Sequence, residues 1–137
     1  MKTLTALAAL ALLAAVPAHA GDPAAGEKEF AKCRACHMIQ DGDNVIQRGG
    51  KTGPNLFGII GRTAGTSADF NGYGDSLKEA GAKGLVWTEA LIAEYVVDPK
   101  AFLEAQLGGK ATSKMAFKLR KGGEDVAAYL ASVGGGS

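Results

Sequence analysis

Apolar residues keep a helical period near both ends of the chain and in two stretches between, and lose it from Asp41 to Gly74. Toward the C-terminus Val126, Tyr129, Leu130 and Val133 fall at i, i+3, i+4 and i+7, which predicts a helix with one apolar face. Glu124 and Asp125 stand where acids complement the N-terminal dipole of that helix. Toward the start, Asp22-Pro23 reads as N-cap and first helical residue, so a short helix is expected over Ala24–Ala35 with Phe30 as its largest apolar residue. Gly26 lies one turn before Phe30. A glycine inside a helix costs about 1 kcal/mol against alanine, so close contact with another helix is its expected reason, and the last helix is the expected partner. A further short helix is expected over Asp75–Ala80, stopped by Gly81. Thr88 caps another running through Val97, with Leu91, Ile92, Tyr95 and Val96 inward, and Asp98-Pro99 starts a third. No internal repeat is present.

At the extreme N-terminus Lys2 precedes an apolar run from Leu4 to Val16, then Ala18-His19-Ala20, a small-x-small cleavage site. A retained membrane anchor needs about 20 apolar residues, and this run is stopped short by Pro17. Residues 1–20 are therefore expected to be a signal peptide that is removed on export, leaving one domain over 21–133 and a flexible glycine tail over 134–137.

The chemistry centres on Cys33-Arg34-Ala35-Cys36-His37. A CxxCH run is the attachment signature of c-type haem: two thiols add across the porphyrin vinyl groups, and the next residue offers an imidazole nitrogen to the iron. Within one helical turn Cys33, Cys36 and His37 come to one side. Three other readings use the same residues. A thioredoxin-like dithiol wants a strand and a βαβ pattern around the CxxC, and neither is present. Structural zinc wants four ligands, and the exported chain offers Cys33, Cys36 and His37. A Cys33–Cys36 disulfide would close too short a loop to restrain the unfolded chain much.

Loss of the leader takes His19 with it, so His37 is the only histidine of the exported chain and bis-histidine ligation is excluded. Met1 is lost too, and Met38 follows His37 too directly to reach the opposite haem face, which leaves Met115 for it. The competing reading of Met115 is core packing, but Thr112-Ser113-Lys114-Met115 reads as a polar loop. The stretch from Asp41 to Gly74 holds nine glycines. So long an aperiodic segment in a compact domain points to a ligand that organises it, and a buried haem would supply the apolar surface.

Beyond CxxCH, the chain carries Lys51-Thr52-Gly53-Pro54-Asn55-Leu56, Gly61-Arg62, Trp87, Tyr95, Asp98-Pro99 and Lys114-Met115-Ala116-Phe117 in order. In these it closely resembles the class I c-type cytochromes, and among them the bacterial cytochrome c2 group, over nearly all of residues 22 to 133. The resemblance implies an all-α class I cytochrome c fold, with N- and C-terminal helices packed together and short helices and loops wrapped around one covalent haem c. It implies that the Pro54 carbonyl accepts a hydrogen bond from His37, that Tyr95 donates toward the Met115 sulfur, and that Arg62, Tyr73 and Trp87 tie down a haem propionate. Gly50 departs from a second histidine common in relatives, and Leu77 from the asparagine of mitochondrial forms. The function implied is one-electron carriage in the periplasm, from a cytochrome bc1 complex to a photosynthetic reaction centre or terminal oxidase. The rival class is a haem enzyme or sensor with an open distal face.

Without Lys2 the chain has fourteen basic and fourteen acidic residues, so net charge points to no partner, nucleic acid included, and a monomer is expected. The distribution is uneven. Lys110, Lys114, Lys118, Arg120 and Lys121 bracket Met115 with no acid among them, and Lys32 and Arg34 flank the thiols. A charge run is commonly a solvated face, but at a haem edge these seven residues are expected to form a basic docking patch for acidic redox partners.

Overall fold

The computed structural model describes residues 21–134, so the expected signal peptide and residues 135–137 lie outside the described part. The elements run α1 (Pro23–Glu29), a 3-10 turn (Phe30–Lys32), β1 (Ile39–Asp41), β2 (Asn44–Gln47), α2 (Asp75–Ala82), α3 (Glu89–Val97), α4 (Pro99–Leu107) and α5 (Gly123–Val133). The fold is helical, as expected, with one small hairpin added. Among the described residues no helix is long and apolar enough to cross a membrane.

The terminal helices pack together as their apolar faces require. Phe30 and Val126 are buried, and the Phe30 and Tyr129 rings meet at 5.9 Å between centroids. Gly26 is the point of closest approach: a Cβ there would stand 2.8 Å from Tyr129 Cβ and closer still to the Asp125 carbonyl. The junction is closed by the Asp22 N–H, which donates to Asp125 Oδ1 at 2.8 Å, while the Asp22 carboxylate caps α1 through the Ala24 N–H at 2.9 Å. Each large apolar side chain buried here contributes on the order of 1.5–3 kcal/mol.

Helix α3 is capped by Thr88, whose Oγ1 accepts from the Leu91 N–H, and α4 by Asp98, whose carboxylate accepts from the Ala101 N–H. Behind them Trp87, Tyr95 and Phe102 form an aromatic cluster with centroids 5.0 to 5.9 Å apart.

Four details differ from expectation. The first helix ends at Glu29 rather than Ala35; from there the chain tightens, the Cys33 N–H donating to Phe30 O at 2.8 Å. Gly81 does not stop α2, which runs to Ala82; a Cβ at Gly81 would collide with the Ala64 carbonyl, so glycine is there for close packing. The aperiodic stretch begins with a hairpin, β1 paired antiparallel to β2 around Gly42, whose φ of 55° suits the first position of a tight turn. Gly134, expected in the tail, caps α5, its N–H donating to Leu130 O at 3.1 Å.

Candidate functional site

The CxxCH run sits on successive tight turns after α1. The Cys36 and His37 N–H groups both donate to Cys33 O, at 3.2 and 2.9 Å. These bonds bring both thiols and the imidazole into one turn. Cys33 is half-buried, Cys36 is exposed, and both are free. Burial, helped by the nearby Glu29 carboxylate and partly offset by Lys32, pushes the Cys33 thiol up to about 11. A dithiol redox centre needs a low-pKa attacking thiolate, and Cys33 is the opposite. Among the described residues no group of three or more Cys, His, Asp or Glu side chains is placed to hold a metal ion by itself.

His37 is fixed by the Pro54 carbonyl and by Gly53. Its Nδ1 donates to the Pro54 carbonyl at 2.8 Å, so Nε2 is the nitrogen left to bind. Gly53 lies flat against the ring; a Cβ there would stand 2.7 Å from Nδ1 and 2.8 Å from Nε2. Its own N–H is bound to Cys36 O at 2.8 Å. Burial lowers the His37 pKa below the usual imidazole range, with the Pro54 bond opposing it.

The Pro54 segment is itself held by Asn55, to which the sequence assigned no role, and by Arg62. Asn55 Oδ1 accepts from the Gln40 and Phe57 N–H groups, at 3.0 and 3.1 Å, and its Nδ2 donates to Gln40 O at 2.7 Å. Asn55 thus pins the segment to β1. Arg62 holds the same segment from the other side, its guanidinium donating to the Asn55 and Phe57 carbonyls. The signal available in the sequence was an uncharged polar residue next to Pro54 inside a motif otherwise read only for its proline.

Arg62 and Trp87 are joined by main-chain bonds, Trp87 N–H to Arg62 O at 2.9 Å and Gly61 N–H to Trp87 O at 2.7 Å. Tyr73 lies on the loop before α2, where its hydroxyl accepts from the Ser67 N–H and its ring meets Phe70 edge-on. Met115 lies half-buried in the irregular segment between α4 and α5. The Ser113 hydroxyl donates to Met115 O at 2.9 Å. Burial raises the Tyr95 pKa, so the phenol stays protonated.

Of the seven docking candidates, Arg34, Lys110, Lys114, Arg120 and Lys121 are exposed and not in a salt bridge. Lys32 pairs with Glu29 and Lys118 with Asp98, each at 2.7 Å. Lys32 and Lys121 also line an open cleft between α1 and α5 where Lys28, Lys32 and Lys121 face Asp22, Glu29 and Asp125. Charge there cancels, which leaves Arg34, Lys110, Lys114 and Arg120 as the exposed candidates outside the cleft that no salt bridge holds.

Two free thiols and a ring nitrogen in one turn, with the far side of the imidazole tied to a carbonyl, are the donor set that a haem c needs. Terminal helices packed together around such a turn are the features of a class I c-type cytochrome. No protein-family model matches the chain. It is 58% identical to cytochrome c2 of Rhodobacter capsulatus over 134 residues, 96% of each protein. It is 56% identical to cytochrome c-551 of Roseobacter denitrificans over 138 residues, 99% of this chain and 98% of that one. The solved structure of cytochrome c2 from Rhodobacter capsulatus superposes with a TM-score of 0.80 at 60% identity, over 82% of this chain and 98% of the other. Ferric cytochrome c-550 from Paracoccus versutus gives 0.79 at 49% identity, over 83% and 98%. The chain belongs to the class I c-type cytochromes and, within them, to the cytochrome c2 group. It is an electron-transfer protein rather than an enzyme.

Proposed function

We propose that the chain is a soluble periplasmic one-electron carrier, with one haem c attached through Cys33 and Cys36 and ligated by His37 and Met115. A haem c bound there supplies a single Fe(II)/Fe(III) couple. The observation that carries this reading is the bond from His37 Nδ1 to Pro54 O within the CxxCH turn, because it fixes the tautomer and strengthens Nε2 as a donor. Methionine opposite histidine raises the potential relative to a second histidine. Pro54, Arg62, Tyr73, Trp87 and Tyr95 hold the cofactor's surroundings, Arg62 both by fixing the Pro54 segment and with the donors it has left over for a propionate.

The donor we propose is a cytochrome bc1 complex, and the acceptor a photosynthetic reaction centre or a terminal oxidase. Both would meet the basic surface around Met115 in brief encounters, through an interface below about 1,200 Å². The chain acts as a monomer. Acid–acetone extraction followed by pyridine haemochrome analysis tests the attachment. Thioether-bound haem stays with the protein, one per chain, whereas haem that extracts into the organic phase, or a colourless protein, overturns the reading.

A further inference from the structure

From Lys110 to Lys121 the chain has no helix or strand. The place of Met115 within this segment is therefore set by a few ties. Before it, the Thr112 N–H donates to Ser76 Oγ of α2 at 3.0 Å. After it, the Leu119 N–H donates to Val96 O at the end of α3 at 2.7 Å, and the Leu119 side chain is buried. Lys118, next to Leu119, reaches the α3–α4 junction, where its Nζ donates to Asp98 Oδ2 at 2.7 Å. The other oxygen of that carboxylate accepts from the Ala101 N–H at 3.1 Å and starts α4. One carboxylate thus fastens both a helix start and the far end of the Met115 segment.

We propose that Asp98 is a positioning residue for Met115, and that its ion pair with Lys118 sets how often the Met115 segment swings away from the iron. The proposal rests on the reading of Met115 as the distal ligand. The Lys118 and Asp98 side chains are 42% and 33% exposed, intermediate between a fully solvated pair, which contributes little, and a buried one. Lys118 and the Ala101 N–H hold the Asp98 carboxyl below the usual carboxylate range, and Arg120 adds a second nearby cation, so the pair is charged throughout the neutral range. Breaking such a pair should raise the population of the open segment roughly two- to fivefold.

The test uses the haem-loaded mature protein and added imidazole, which can take the distal coordination position only when the segment is open. The apparent dissociation constant of imidazole then falls by the factor by which the open fraction rises. Lys118→Met keeps the aliphatic stem and leaves Asp98 to cap α4; Asp98→Asn keeps an acceptor for Ala101 and removes the charge. Each should tighten imidazole binding roughly two- to fivefold, and the double variant should do no more than the stronger single one, because the two remove one shared interaction. Hydrogen exchange at the Leu119 N–H should quicken by a similar factor while α1 and α5 exchange unchanged. Wild-type imidazole affinity in both variants, full additivity in the double, or equal acceleration in α1 and α5 would each overturn the proposal. If wild-type protein lacks a sulfur-to-iron band, the ligand reading fails on its own, and Leu119 exchange still decides whether Asp98 holds the segment.

Discussion

Replacing Gly26 with alanine sets two effects of known sign against each other. Helix propensity alone favours alanine by about 1 kcal/mol in the interior of α1. Packing opposes it: the new methyl would stand 2.8 Å from Tyr129 Cβ, and nearer to the Asp125 carbonyl, where carbon atoms ordinarily rest about 3.5–4.0 Å apart. The Asp125 carbonyl is main chain inside α5 and cannot rotate aside, so α1 and α5 must part by about 1 Å or more. That separation would loosen the Phe30–Tyr129 contact and lengthen the bond from the Asp22 N–H to Asp125. Overpacking of a close-packed interface costs about 1–3 kcal/mol, and a main-chain collision belongs at or above the upper end. The net expectation is a loss of about 2 kcal/mol, seen as a fall of about 1 M in the urea midpoint. Urea titration of the haem-loaded protein by far-UV circular dichroism and by haem absorbance measures it. A variant as stable as wild type, or more stable, would refute the claim that Gly26 is there for helix contact.

Asn55→Ala would strand the Gln40 and Phe57 N–H groups and the Gln40 carbonyl; a loss of about 1–3 kcal/mol in urea titration is expected, and an unchanged midpoint would remove Asn55 from the support of Pro54. Before haem is attached, when His37 Nε2 is free to titrate, its lowered pKa means that the unfolded chain binds a proton there more readily than the folded one, so the stability of the haem-free chain is held above the usual imidazole value of 6.5 and falls as pH drops through it toward the folded pKa. Denaturation midpoints that stay flat from pH 7 to pH 5 would contradict this. Electron transfer to an acidic partner should slow steeply with ionic strength, the Debye length shrinking from about 10 Å at 0.1 M to about 3 Å at 1 M. Lys114→Glu should slow it further, while Lys83→Glu, already beside Glu79, should matter less; stopped-flow rates indifferent to salt, or equal losses in both variants, would sink the docking reading. Lys118→Glu is a poorer probe, because it would set a second acid against Asp98.

The helices were legible because their signals are local. Asp22, Thr88 and Asp98 cap where their side chains suggested, and the period of Val126, Tyr129 and Leu130 gave the buried face of α5. The hairpin was not legible, since strands of three and four residues are too short to show alternation, and Ile39 and Gln40 are interrupted by a register shift. Gly81 was misread because a glycine that ends a helix and one that admits a neighbouring chain look the same in one dimension. In the site, CxxCH and Pro54 were visible as motif residues, whereas the roles of Asn55 and Asp98 depend on partners 15 and 20 positions away. Such contacts have no periodicity to announce them.

The central claim is that Met115 completes the coordination opposite His37, and the ferric near-infrared spectrum tests it most directly, because a weak sulfur-to-iron band there reports a bound thioether. Wild-type protein and Met38→Leu should both show the band. Met115→Ala should lose it, keep its haem through Cys33 and Cys36, and have a lower potential. A Met115→Ala variant that retains the band, or a Met38→Leu variant that loses it, would contradict the account.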